Sequence, residues 1–170
     1  MFEAHPIAVG DPKEFYEELA RQLTGLLAGE RDFIANAANT ASLIFNTVPD
    51  LNWAGFYFLR GDELVLGPFQ GKPACVRIAV GRGVCGAAVV ERRTLRIADV
   101  HAFPDHIACD SASRSELVIP LINDDTVFGV LDLDSPHQSR FTTQDQDGLE
   151  RLARIFISGT DIVLSALLTP

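Results

Sequence analysis

The stretch ELVIPLINDDTVFGVLDLD, Glu116–Asp134, decides the fold. Glu116–Ile122 and Thr126–Asp134 are apolar, rich in Val, Ile and Leu, and are joined by Asn123-Asp124-Asp125. Two such runs around a short Asn/Asp segment predict a β-hairpin. A second hairpin is predicted upstream: WAGFYFLR (Trp53–Arg60), a Gly61-Asp62 turn and a returning strand over Glu63–Gly67. Hairpins imply an antiparallel sheet.

Working outward, Pro68–Pro73 reads as a loop and Cys75–Val80 as a strand. Gly81-Arg82-Gly83 is a turn into a short helix over Val84–Glu91, and Leu95–Ala98 is a brief strand. Before the first hairpin, Asp11-Pro12 supplies an N-cap and a proline at the first helical position. Phe15, Leu19 and Leu23 continue that helix until Gly29. A second helix spans about Arg31–Phe45, burying Phe33, Ile34, Ala37, Ala41, Ile44 and Phe45, and closes at Pro49-Asp50. Its alanines suit close helix packing, including against a partner subunit. After the hairpin, Thr142 or Thr143 caps a helix to about Leu167, with Leu149, Leu152, Ala153, Phe156, Ile157, Ile162 and Leu164 on its apolar face. The expectation is an α+β fold: a central antiparallel sheet, terminal helices on one face and a ligand pocket under loops on the other. The 170 residues are expected to form a single domain, 1–170.

Composition narrows the functions. Net charge is −9, and Arg92-Arg93 is the only basic doublet, which argues against nucleic-acid binding. No apolar stretch approaches the ~20 residues of a membrane span, and Met1–Pro6 lacks a signal-peptide pattern. A soluble, cytoplasmic protein is expected. Three cysteines do not make a disulfide framework.

All three, Cys75, Cys85 and Cys109, fall in the same third of the chain as Glu116, Asp132 and Asp134. Thiols and carboxylates so concentrated point to redox chemistry on a small polar substrate. Asp99–Ser113 (DVHAFPDHIACDSAS) has no periodicity, and loops of that length are usually functional or disordered. Cys109 lies in it, beside Asp105, His106 and Asp110, as a candidate reactive thiol. Cys75 opens a predicted strand and reads equally as a half-buried small hydrophobe. Cys85 reads as a buried core cysteine. His101, His106 and Cys109, with Cys75 or Cys85, could be zinc ligands, but their spacing fits no usual zinc module and no metal is expected. Asp132 and Asp134 are two apart on a strand and share a face, with Glu116 on the paired strand. Three carboxylates there repel unless a cation or a proton is shared. A substrate ammonium would resolve the repulsion, and a carboxyl kept protonated could act as an acid. Gly81-Arg82-Gly83 before a helix offers N–H groups to a substrate carboxylate.

NWAGFYF (Asn52–Phe58), GPFQGKPACVRI (Gly67–Ile78), GRGVCG (Gly81–Gly86), ADVHAFPDHIACD (Ala98–Asp110) and SELVIPL followed by GVLDLDSP together resemble the free methionine-(R)-sulfoxide reductases, which are GAF-domain enzymes. The matching pieces span nearly the whole chain. The resemblance implies a single GAF domain, often a homodimer, that reduces the free amino acid. It implies Cys109 as nucleophile, Cys75 as recycling thiol and Cys85 as an auxiliary thiol. Glu116, Asp132 and Asp134 are implied as substrate-binding carboxylates and Trp53 as the aromatic wall around the substrate's methyl group; Glu116 is further expected to be the acid, and Tyr57 to join the substrate site. Thioredoxin or another external dithiol is the implied reductant, and no bound cofactor is needed. The competing class is a ligand-sensing GAF module, which usually accompanies other domains.

Overall fold

The computed structural model describes residues 5–8, 10–104 and 110–162. Its elements are α1 (Pro12–Leu26), α2 (Phe33–Thr47), β1 (Trp53–Arg60), β2 (Glu63–Gly71), β3 (Arg77–Ala79), α3 (Gly83–Glu91), β4 (Leu95–Ile97), β5 (Ser115–Asn123), β6 (Thr126–Ser135) and α4 (Thr143–Gly159), with a 3-10 turn over Val100–Ala102. The strands form one antiparallel sheet in the order β3-β2-β1-β6-β5-β4.

The two hairpins form as expected. Asp124 and Asp125 both take positive φ, 45° and 62°, the conformation that matches the twist of the flanking strands. Alternation along the strands then splits the core. Ala54, Phe56, Phe58, Leu117, Ile119, Leu121, Leu131 and Leu133 pack against α1, α2 and α4. Trp53, Tyr57, Val118 and Val130 point the other way, towards α3. Every group assigned to substrate binding falls on this second face. Phe56, Phe128 and Phe156 are fully buried in the first cluster, each worth about 1.5–3 kcal/mol on transfer from water.

Several features differ from expectation. β2 runs through Pro68 to Gly71 instead of ending at Gly67. The register slips between Gly55 and Tyr57, opposite Gly67-Pro68, so the proline sits at a bulge, and β3 pairs only with Glu63–Val65. A missing N–H costs no ladder bond there. β3 is three residues long, leaving Cys75 and Val76 outside it. Ile34 is 57% exposed, because the buried stripe of α2 runs through Ala37, Thr40, Ala41 and Ile44. α4 ends at Gly159, well short of Leu167; Leu164 lies outside the described residues.

α4 starts at a capping box. Thr142 Oγ1 accepts from Asp145 N, and Asp145 accepts from Thr142 N. Asp145 also accepts from Tyr16 Oη on α1 at 2.7 Å and from Arg140 at 3.0 Å. The Tyr16 ring lies directly over Gly148, where a Cβ would come within 2.1 Å of its Cγ. Gly148→Ala would gain about 1 kcal/mol of helix propensity. It would also force the ring off its carboxylate, and overpacking costs roughly 1–3 kcal/mol before that bond is counted. Net destabilisation is expected, read as a lower urea midpoint with an unchanged m-value.

Candidate active site

β1, β5 and β6 place the pocket groups by register. Asp134 is opposite Trp53 on one side and Glu116 on the other; Asp132 is opposite Gly55 and Val118. Trp53, Tyr57, Glu116, Asp132 and Asp134 therefore come together on one wall. α3 closes the space above them, and its first residues, Gly83 to Cys85, line the same pocket.

The aromatic wall is stacked. Trp53 lies against Phe69 at 5.4 Å between ring centroids and 13° between planes, and against Tyr57 at 5.8 Å and 25°. Gly55 permits this, since a Cβ there would sit 2.6 Å from the Trp53 ring. Trp53 Nε1 donates to Lys72 O at 3.2 Å, and Tyr57 Oη donates to Cys75 O at 3.0 Å.

Two of the carboxylates are buried, Glu116 and Asp132 at 6% exposed each, and Asp134 is half-buried. Burial raises all three. Glu116 is pushed well above the usual range by burial and then by repulsion from Asp132 and Asp134. Asp134 is raised by burial and by Asp132, partly offset by a hydrogen bond from Ser113. Asp132 is pushed up by burial to about 7, held back by hydrogen bonds from Cys85, Glu116 and the Leu133 amide. Its Oδ1 is buried with no hydrogen-bond partner among the described residues. The pocket thus holds proton-sharing carboxyls and an open acceptor, an environment suited to an incoming ammonium group.

The cysteines differ. Cys85 is a free, buried thiol with Sγ 4.0 Å from Glu116 Oε1. Burial and the adjacent Asp132 and Glu116 carboxyls raise its pKa, so it stays protonated and is a poor nucleophile. Cys75 is disulfide-bonded, and it follows the loop that carries Lys72. Cys109 lies outside the described residues, as does His106; His101 is in the 3-10 turn. Among the described residues, the side chains that could jointly hold a metal are Cys85, Glu116 and Asp132, whose ligand atoms lie within 4.8 Å of one another. No described helix is long and apolar enough to cross a membrane.

Sequence reasoning overlooked Asn52, Lys72 and Ser113. Asn52 Nδ2 donates to Asp110 Oδ2 at 3.2 Å and to Ser113 Oγ at 3.0 Å. The sequence signals were the places of Asn52 inside NWAGFYF, Lys72 inside GPFQGKPACVRI and Ser113 at the end of the long loop.

Residues 11–156 match the GAF domain family, so the fold and the pocket belong to that class. The free methionine-R-sulfoxide reductase of Escherichia coli (strain K12) is 56% identical over 139 residues, covering 82% of this chain and 84% of that protein. The substrate complex of the free methionine-R-sulfoxide reductase of Neisseria meningitidis superposes with a TM-score of 0.89 at 45% identity, covering 94% of this chain and 95% of that one. The reduced form of the Staphylococcus aureus enzyme gives 0.83 at 47% identity, covering 85% and 94%. This chain belongs to the free methionine-R-sulfoxide reductase family of GAF domains, a family of oxidoreductases.

Proposed function

We propose that this protein reduces free L-methionine (R)-sulfoxide to methionine. The observation that carries the reading is the trio of buried Glu116 and Asp132 and half-buried Asp134 beside the Trp53–Tyr57 wall, in a chain 56% identical to a reductase of that name. The carboxylates take the substrate ammonium, the N-terminal turn of α3 faces its carboxylate, and the aromatic wall receives the S-methyl end.

The chemistry is a two-electron transfer to the sulfoxide. The Cys109 thiolate attacks the sulfoxide sulfur while Glu116 gives a proton to the oxygen. Methionine leaves and Cys109 becomes a sulfenic acid. The Cys75 thiol condenses with it, forming an S–S bond and releasing water. An external dithiol, most simply thioredoxin, reduces that disulfide by exchange. Cys85, buried and protonated, is left an auxiliary role. The protein works as a single GAF domain, as a homodimer in the cytoplasm, without a metal or organic cofactor.

Turnover of the free amino acid against a peptide containing methionine sulfoxide tests this reading. The peptide's amide nitrogen carries no charge for the carboxylates, so it should be a poor substrate. Equal turnover would remove the ammonium clamp, and binding without any turnover would return the chain to the ligand-sensing modules. Cys75→Ser should keep the first equivalent of methionine and lose thioredoxin-dependent cycling. A larger recycling defect in Cys85→Ser would reverse the two thiols.

A further inference from the structure

Asp110 follows Cys109 directly in the chain, and its side chain is held from three directions. Asn52 Nδ2 donates to Oδ2 at 3.2 Å, and Lys72 Nζ is 3.3 Å from both carboxylate oxygens. Ala112 N donates to Oδ1 at 2.9 Å, closing a local turn. The Asp110 side chain is 9% exposed, whereas Lys72 is 70% exposed. The Asp110–Lys72 pair therefore joins a sheltered carboxylate to an exposed cation.

Lys72 belongs to the loop that leads to Cys75. That loop is tied to β1 twice, by Trp53 Nε1 to Lys72 O and by Tyr57 Oη to Cys75 O. Asn52 immediately precedes β1. Its backbone N–H donates to Asp134 O at 3.0 Å, pinning it to β6, and its two side-chain hydrogens are divided between Asp110 and Ser113. β1 and the residue before it thus anchor the segment that follows Cys109 and the loop that precedes Cys75.

We infer that Asn52, with Asp110, is a positioning residue for the disulfide-forming step, clasping the segment that follows Cys109 to the segment that precedes Cys75. This rests on the proposed roles of Cys75 and Cys109. In that step the sulfenic S–O bond breaks, the S–S bond forms and one water leaves. It needs two sulfurs from separate loops at bonding distance, so a small displacement is costly. Reduction of the sulfoxide needs only one of them and the pocket.

The test uses pre-reduced full-length protein mixed with one equivalent of free methionine-R-sulfoxide. Methionine is quantified alongside thiol loss and dimedone-trapped sulfenic acid. Asn52→Leu removes both side-chain donors. Disulfide formation should slow by roughly tenfold or more, with more sulfenate trapped, while methionine formation stays within about twofold of wild type. Should Asn52→Leu lower the melting temperature too far for assay, Asn52→Asp keeps the shape, removes both donors and sets a carboxylate against Asp110. It should give the same split. Lys72→Met should give a smaller slowing, and Lys72→Arg should restore the rate.

Disulfide formation at the wild-type rate in both Asn52 variants would overturn the clasp. So would methionine formation and disulfide formation falling together, since that is loss of the whole site. Cys75→Ser run in parallel separates the two ideas. If it accumulates sulfenate while the Asn52 variants behave as wild type, the clasp alone fails. If Cys75→Ser still cycles, the thiol pairing fails and the clasp with it.

Discussion

Cys109→Ser is expected to abolish methionine formation even in the first turnover, by a factor on the order of 10³ or more, as for loss of a nucleophile. Serine keeps the size of the side chain and loses the sulfur chemistry. A hydroxyl with an ordinary pKa does not attack a sulfoxide sulfur at neutral pH, and an oxygen there could not be carried on to a disulfide. The other two cysteines offer no substitute. Cys85 is buried beside Glu116 and Asp132, which hold it in the thiol form. Cys75 is held at the loop by Tyr57 through its own carbonyl, and the proposed mechanism assigns it to recycling. The assay is methionine formed per enzyme from fully reduced protein, with no thioredoxin present. Near wild-type formation by Cys109→Ser would move the nucleophile to Cys85 or Cys75 and break the mechanism at its first step.

The sequence carried the parts of this fold that follow from period and turn chemistry. Glu116 facing Asp134, with Asp132 on the same wall, was readable because alternation along two strands and a short Asp-Asp turn leave few registers. The extension of β2 was not readable, because Pro68 signals a break. The bulge against β1 and the end of β3 pairing at Val65 together make that proline harmless. The end of α4 was missed for the opposite reason. Its apolar spacing continues past Gly159, whereas Asp161 N turns back to Arg31 O. Cys85 is buried, as its residue type and its place at a helix start suggested. That it sits under the carboxylates depends on how α3 packs across the sheet, a long-range contact that no local pattern encodes. The Asn52 clasp was hidden for the same reason, since Asp110 and Ser113 come from a loop about sixty residues away.

Glu116→Gln should slow the chemical step by about 10²–10⁴-fold, the usual worth of general acid catalysis, with a smaller change in substrate affinity. Glutamine preserves the shape and can still hydrogen-bond, but it cannot release a proton. Glu116 is suited to the role by its surroundings. Burial first, then the neighbouring Asp132 and Asp134, hold its carboxyl well above the usual range, so it keeps its proton to higher pH than an ordinary carboxyl. The sign of the pH dependence follows. An acid that must be protonated supports the reaction below its raised pKa and fails as pH rises through it, so wild-type activity should fall on the alkaline side. That limb should vanish in Glu116→Gln, leaving the slower rate flat or rising as the attacking thiol ionises. The same proton gives a stability signature. A carboxyl raised on folding contributes stability that is complete below its unfolded pKa and is lost as pH rises through the folded value, so the substrate-free protein should melt lower towards alkaline pH and Glu116→Gln should lose less. Asp134→Asn provides the contrast. It sits between Trp53 and Glu116 in the register, and losing its charge should raise KM more than it lowers kcat. Single-turnover rates across pH, measured for both variants with free methionine-R-sulfoxide at several concentrations, separate the two roles. A Glu116→Gln enzyme with wild-type kcat, an intact alkaline limb and only a raised KM would make Glu116 a binding group and leave the oxygen to another donor.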